Sequence, residues 1–210
     1  MLNEIRAGLI SSSDGAVSPA RGTRTGAMVT ADGHARFTEA VARGGNFFTA
    51  ANSALQALSL NSTTATGIII TNPPGSGKII SLVGVNVSIA SLPAGQYSLI
   101  LAGATSATLG AVTHTTPLTV RGAYIGGSNQ LTSVALVDSA ATLPAGGNTI
   151  LDVLPGGGAA TMAASTSYPP FIAYDCAGRF CLAPGAFISI QALTTAVSVL
   201  ASVQWEEIPL

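Results

Sequence analysis

The residues of this chain that could do chemistry are few and scattered. The segment Asn72-Pro73-Pro74-Gly75-Ser76-Gly77-Lys78 ends like a phosphate-binding loop, in which glycine amides cradle phosphates and a lysine reaches the terminal ones. The spacing defeats that chemistry. The first glycine of such a loop falls at Asn72 and the metal-binding hydroxyl at Ile79, and a strand pattern follows where the phosphate site needs a helix N-terminus. The segment therefore reads as a turn between strands. Gly156-Gly157-Gly158, after Pro155, has no strand-to-helix frame either and reads as a loop. His34 lies beside Asp32, and His114 lies in Thr113-His114-Thr115-Thr116; neither has a cysteine, a glutamate or a second histidine at ligand spacing.

The acids that could pair for glycoside hydrolysis, Asp138, Asp152, Asp175, Glu206 and Glu207, stand singly, and in a strand Glu206 and Glu207 point to opposite faces. They read as solvated edge or interface charges. Serines are abundant, but no Gly-x-Ser-x-Gly elbow frames a nucleophile. No catalytic, cofactor-binding or metal-binding residue is assigned, and the chain is expected to be non-enzymatic with no cofactor. Cys176 and Cys181 bracket Ala177-Gly178-Arg179-Phe180, read as a hairpin tip. A disulfide there requires facing Cβ atoms, and in a reducing cytosol two small buried thiols are the favoured reading. The sequons Asn61-Ser62-Thr63 and Asn86-Val87-Ser88 matter only if the chain is secreted.

Composition says more than these motifs do. Of 210 residues, 48% are apolar and only 8% are charged, against about 25% charged in typical soluble proteins. A monomer normally keeps a charged skin, so a chain this poor in charge is expected to hide much of its surface against copies of itself or other subunits. The net charge of -1 and the lack of any Lys/Arg run disfavour direct nucleic-acid binding. The uncharged stretch from Ile79 to Val120 is long enough to span a membrane. Asn86, Pro93, Gly95 and Gln96 interrupt it, and its period is two, so it reads as strands. The start, Met-Leu-Asn-Glu-Ile-Arg, and the 5% aromatic content do not suit an exported outer-membrane barrel. No membrane partner is expected, and synthesis inside the cell is.

Charge also divides the chain. Nine of the 17 charged side chains lie in the first 43 residues, in a stretch rich in Gly, Ser and Thr without sustained periodicity. Residues 1–45 read as an extended arm, with Arg6, Arg21, Arg24, Arg36, Phe37 and Arg43 as its candidate interface with a partner. Residues 46–66 read as a linker, where Phe47, Ala51, Leu55 and Leu58 could form one face of a short helix. From Gly67 onward short apolar runs alternate with turns. Val83, Val85, Val87 and Ile89 form one face of a strand, and Val197, Val199, Ala201, Val203 and Trp205 form one face of another. Leu92-Pro93-Ala94-Gly95, Leu143-Pro144-Ala145-Gly146 and Ala183-Pro184-Gly185 supply turns, the last with Pro and Gly placed for type II. The spacing predicts an all-β fold: a jelly-roll or Greek-key β-sandwich over residues 67–210, preceded by the arm.

Three stretches carry a resemblance: Asp32-Gly33-His34-Ala35-Arg36-Phe37-Thr38-Glu39-Ala40-Val41-Ala42-Arg43-Gly44-Gly45-Asn46-Phe47, the Asn72 to Lys78 segment, and the ending Ala201-Ser202-Val203-Gln204-Trp205-Glu206-Glu207-Ile208-Pro209. Together they resemble virion proteins of tailed bacteriophages, and the arm-plus-sandwich plan is similar to that of capsid decoration (cement) proteins. The resemblance implies a structural subunit of the capsid surface, made in the host cytoplasm, that assembles as a homo-oligomer, a homotrimer by analogy, and contacts the major capsid protein. The alternative is a tail, baseplate or fibre component binding a host-surface receptor or glycan, for which Tyr97, Tyr124 and Tyr168 are the aromatic candidates.

Overall fold

The alternation at the C-terminal end of the chain is the clearest bridge from sequence to architecture. In a computed structural model, which describes residues 41, 44–91, 97–104, 112–128, 130–145, 148–158 and 171–210, it becomes strand β12, Ser198–Pro209. Val199, Ala201, Val203 and Trp205 point into the core, and Leu200, Ser202, Gln204 and Glu206 point away from it. The candidate arm residues Arg6, Arg21, Arg24, Arg36, Phe37 and Arg43, together with His34 and Tyr168, lie outside the described residues.

The other strands are β1 Phe47–Ala51, β2 Gln56–Ala57, β3 Thr64–Thr71, β4 Lys78–Ser91, β5 Tyr97–Gly103, β6 Thr113–Pro117, β7 Arg121–Gly122, β8 Leu136–Thr142, β9 Thr149–Gly158, β10 Phe171–Leu182 and β11 Phe187–Ala192. They form two antiparallel sheets. The first runs β10-β4-β12-β1-β7, with β2 also paired to β12; the second runs β6-β8-β3-β11-β5-β9. One apolar core fills the space between them. Phe48, Leu82, Val87, Val203 and Trp205 come from the first sheet, and Ile70, Leu99, Leu101, Val137 and Ile190 from the second. Phe48 and Trp205, cross-strand partners, stack with ring centroids 6.0 Å apart. All described residues belong to one compact unit, and no α-helix occurs among those from Gly45 to Leu210.

The chain passes back and forth between the sheets, so among the described residues no strand pairs with its immediate neighbour in sequence. Two such crossings are stitched together by Asn72. Its side-chain amide donates to the carbonyls of Lys78 and Leu182, both at 2.8 Å; its backbone N–H donates to Ala186 O at 2.9 Å, and its carbonyl accepts from Gly185 N at 2.6 Å. The turn at Ala183 to Ala186 forms as the sequence predicts. Gly185 takes φ 88° and Ala186 N donates back to Ala183 O at 3.0 Å, as a type II turn requires.

Several expectations are corrected. Residues 46–66 are not a helical linker: β1 sits inside the first sheet between β12 and β7, because Phe48 and Ala50 can reach the core only from an extended backbone paired in register with Trp205 and Val203. Leu58, also placed on the helical face, packs under Gly67, where an added Cβ would stand 2.5 Å from Leu58 Cδ2 and 2.8 Å from Ile190 O. Gly67, at φ 128°, is needed for that close approach. Cys176 and Cys181 do not flank a hairpin tip. They lie on one strand, β10, around a bulge between Asp175 and Phe180. Gly156 to Gly158 end strand β9 and are not a loop. In β4 the register to β12 also shifts, with Gly84 opposite Gln204 and Leu82 opposite Trp205. The core face is therefore Ile80, Leu82, Val85, Val87 and Ile89, and Val83 sits at the bulge.

Candidate functional site

Three polar clusters are built into this frame. The most enclosed is centred on Glu207, which continues the inward face of β12 one step past Trp205 and is only 1% exposed. A carboxylate placed there must be fully partnered or it destabilises the fold. Its Oε2 accepts from Lys78 Nζ at 2.8 Å. Its Oε1 accepts from Ser133 Oγ at 2.5 Å, Val134 N at 2.9 Å, Ala135 N at 3.3 Å and Trp205 Nε1 at 3.4 Å. Burial pushes the carboxyl up, but the Lys78 and Ser133 hydrogen bonds, the Ala135 amide and the Lys78 charge together hold it below its ordinary 4.5. Lys78, the lysine of the phosphate-loop lookalike, is thus spent on neutralising Glu207, and it opens strand β4.

The second cluster pairs His114 of β6 with Asp138 of β8, Nδ1 to Oδ2 at 2.5 Å. Asp138 is 1% exposed, and its Oδ1 is buried without a hydrogen-bond partner. A carboxylate on Nδ1 fixes the ring's orientation, as it does for a catalytic base. Acyl transfer would also need a nucleophilic hydroxyl at the ring's other nitrogen. The third cluster bridges the edges of the two sheets. Tyr174 OH of β10 donates to Asp152 Oδ2 of β9. Arg179 Nη2 donates to Tyr174 OH at 2.8 Å, and Arg179 Nε donates to Cys176 O at 3.2 Å across the β10 bulge. The guanidinium lies 5.4 Å from the centroid of the Tyr174 ring and 5.9 Å from that of Phe180. The Tyr174 hydrogen bond, then the Val153 amide, holds Asp152 below its ordinary value, while burial, then the Asp152 bond, pushes the Tyr174 hydroxyl up.

The structure therefore redistributes the acids that the sequence marks as solvated. Asp138 and Glu207 are buried clamps, Asp152 ties the sheet edges, and Glu206 accepts from Asn46 Nδ2 at 3.1 Å. Asp175 accepts from Ala177 N at 2.9 Å. Each acid is thus held by partners of its own. Glu207 is findable from the sequence, since the period-two pattern from Val197 to Trp205 reaches it in phase. Asp138 and Tyr174 carry no such signal. Among the described residues no group of three or more His, Cys, Asp or Glu side chains converges as a metal site would, and no helix is long and apolar enough to cross a membrane. Of the aromatic candidates, Tyr97 is buried in the core and burial pushes its hydroxyl up; Tyr124 is exposed, next to Ile125 at 94% exposure.

Comparison with known proteins gives no match to a family model, a curated protein or a solved structure. Fold and clusters define a class by themselves: an all-β, two-sheet protein whose described acids are largely engaged in internal clamps.

Proposed function

We propose that this chain is a non-enzymatic virion structural protein, a decoration or cement subunit on the head of a tailed bacteriophage, with the two sheets forming a jelly-roll or Greek-key sandwich. The observation that carries the reading is the near absence of surface charge. The 167 residues after Arg43 hold eight charged side chains, and two of them, Asp138 and Glu207, are buried in clamps. A surface so neutral suits permanent interfaces, where charged groups would have to be desolvated. The partners of this reading are other copies of the chain, as a homotrimer by analogy, and the major capsid protein, gripped by the arm through Arg6, Arg21, Arg24, Arg36, Phe37 and Arg43. Assembly takes place on the capsid surface after synthesis in the host cytoplasm. Such a subunit strengthens a shell against packaged DNA by burying apolar and backbone surface across capsomer junctions.

The test is binding of the full chain, and of a chain beginning at Gly45, to undecorated phage capsids. Retention of the full chain alone supports an arm-anchored decoration subunit. Failure of both to bind, with binding to host cells instead, supports the tail or fibre reading, which the exposed Tyr124-Ile125 tip favours.

A further inference from the structure

Across the first sheet, one row of outward-facing residues runs through five strands. Asp175 of β10 pairs with Gly84 of β4, Gly84 with Gln204 of β12, Gln204 with Thr49 of β1, and Thr49 with Arg121 of β7. Opposite charges thus stand at the two ends of a single row, with a neutral centre and a glutamine in the middle strand. The row spans four inter-strand spacings, about 19 Å. The Gln204 side chain lies beside Gly84, where an added Cβ would meet its Oε1 at an ordinary contact of 3.6 Å. Near the row, Phe171 and Leu200 are exposed.

We infer that this face binds a second copy of the chain, face to face, about a two-fold axis that runs along β12. The row Asp-Gly-Gln-Thr-Arg is complementary to its own reverse. A two-fold along the strands sets Asp175 over Arg121 of the second copy, Gly84 over Thr49, and Gln204 against Gln204, whose amides can each donate to the other. A two-fold across the strands would instead stack Asp175 on Asp175 and Arg121 on Arg121, so charge selects the axis. Asp175 is already engaged, by a hydrogen bond from Ala177 N at 2.9 Å among its contacts, and a carboxylate has lone pairs enough to accept a guanidinium at the rim as well. Strands β4, β10 and β12 run 14, 12 and 12 residues. The face therefore offers on the order of 600 Å² per copy, close to the roughly 800 Å² per partner of a standard interface, and sheets stack at about 10 Å. Glu206, two residues along β12, also meets its own copy, and is the one like-charge contact of the arrangement. This inference rests on the self-assembly part of the proposed function and not on the phage assignment. It requires an even number of copies, either a dimer or a pair of trimers.

The experiment measures solution mass by sedimentation velocity for the full chain, Gln204→Glu, Gln204→Lys and an equimolar mixture of the two variants, with far-ultraviolet circular dichroism to show that each is folded. Gln204 is half-exposed on a central strand, so both variants are expected to fold. The expected result is an even-numbered wild-type assembly, association weakened about a hundredfold in each variant alone, and reassembly in the mixture, where glutamate meets lysine on the axis. Glu206→Gln is expected to tighten the wild-type association. A monomeric or purely trimeric wild type, variants with unchanged association, a mixture that does not reassemble, or a Glu206→Gln chain that associates more weakly each overturns the two-fold contact. Capsid binding is read separately, so a trimer that binds shells sinks this contact and leaves the decoration reading standing.

Discussion

The central strands of the two sheets differ in what lies over them. In the second sheet every residue of β11 is buried, and so are Ile100 and Ala102 on β5. Both faces of that sheet are covered at its centre, and a small second cluster joins Ala65, Ile69, Val112, Ala141, Leu143 and Phe187. In the first sheet β12 alternates: Val199, Ala201, Val203 and Trp205 are buried, and Leu200 is 42% exposed between them. The centre of the second sheet is thus buried on both faces, whereas the outward face of β12 in the first is partly exposed. That asymmetry favours the first sheet as the assembly surface.

A matched pair of substitutions separates the two outer faces most strongly. Phe187→Ala, on the outer side of the second sheet, is expected to lose about 3–5 kcal/mol because Phe187 is 1% exposed and its removal leaves a cavity. Leu200→Ser, the corresponding outward position on the first sheet, is expected to change the stability of the isolated subunit by about 0.5 kcal/mol or less. Urea denaturation measures both. Comparable losses would mean that the two outer faces are equally buried and that the first sheet has no free face.

The Glu207 clamp closes the core at the end of β12 and comes next in size. Lys78→Met leaves a buried carboxylate with its hydrogen bonds but no counter-charge, and is expected to cost about 3 kcal/mol. Glu207→Gln, which removes the charge that needs a partner, should cost less. The pH dependence has a definite sign. Glu207 is held below its ordinary 4.5 in the folded chain, so its contribution is fully present above that value and is lost as pH falls through the lower folded value. Lys78→Met removes part of what holds the carboxyl down, so the share of acid destabilisation that Glu207 contributes should be smaller and complete at a higher pH than in the wild type. Urea midpoints measured across the acid range check both the size and the direction.

How much of this is legible in the sequence depends on whether an interaction is local. The alternating run of β12, that of β4 from Val85 to Ile89 and the Pro184-Gly185 turn are written in consecutive residues, and they appear as expected. Strand β1 reads as a helical face because Phe47, Ala51, Leu55 and Leu58 fit a helical spacing over a run too short to separate the two periods. Only pairing with β12, more than 150 residues away, makes it extended. The clamps stay hidden for the same reason. Ser133 meets Glu207 across 74 residues and Tyr174 meets Asp152 across 22, and nothing local in the sequence marks such partners. The bulge in β4 shifts its inward face by one residue, from Leu82 to Val85, without leaving a motif. The non-local pairing has a kinetic counterpart: refolding from urea is expected on the millisecond-to-second scale or slower, as in sandwiches dominated by distant contacts, and stopped-flow fluorescence of Trp205 would follow it.

The smallest effect distinguishes the two faces of a single strand. Cys176 and Cys181 are both free thiols, the first buried and the second exposed. Burial, only partly offset by the nearby Arg179 charge, pushes the Cys176 thiol up to about 11, so at neutral pH it carries almost no thiolate and solvent does not reach it. Cys181, past the β10 bulge, faces outward with Sγ 3.5 Å from Gly178 O. A thiol reagent added to the folded chain should therefore modify one cysteine quickly and the second only as the protein unfolds, without a change in unfolding midpoint for Cys181→Ser. Arg179→Ala sharpens the point, because it removes the side chain that bridges the bulge to Tyr174 and Cys176 O. If the bulge is what keeps Cys176 inside, its modification rate should rise in that variant while that of Cys181 stays the same. Equal rates for both thiols in the wild-type chain would mean that β10 does not hold its inner face against the core.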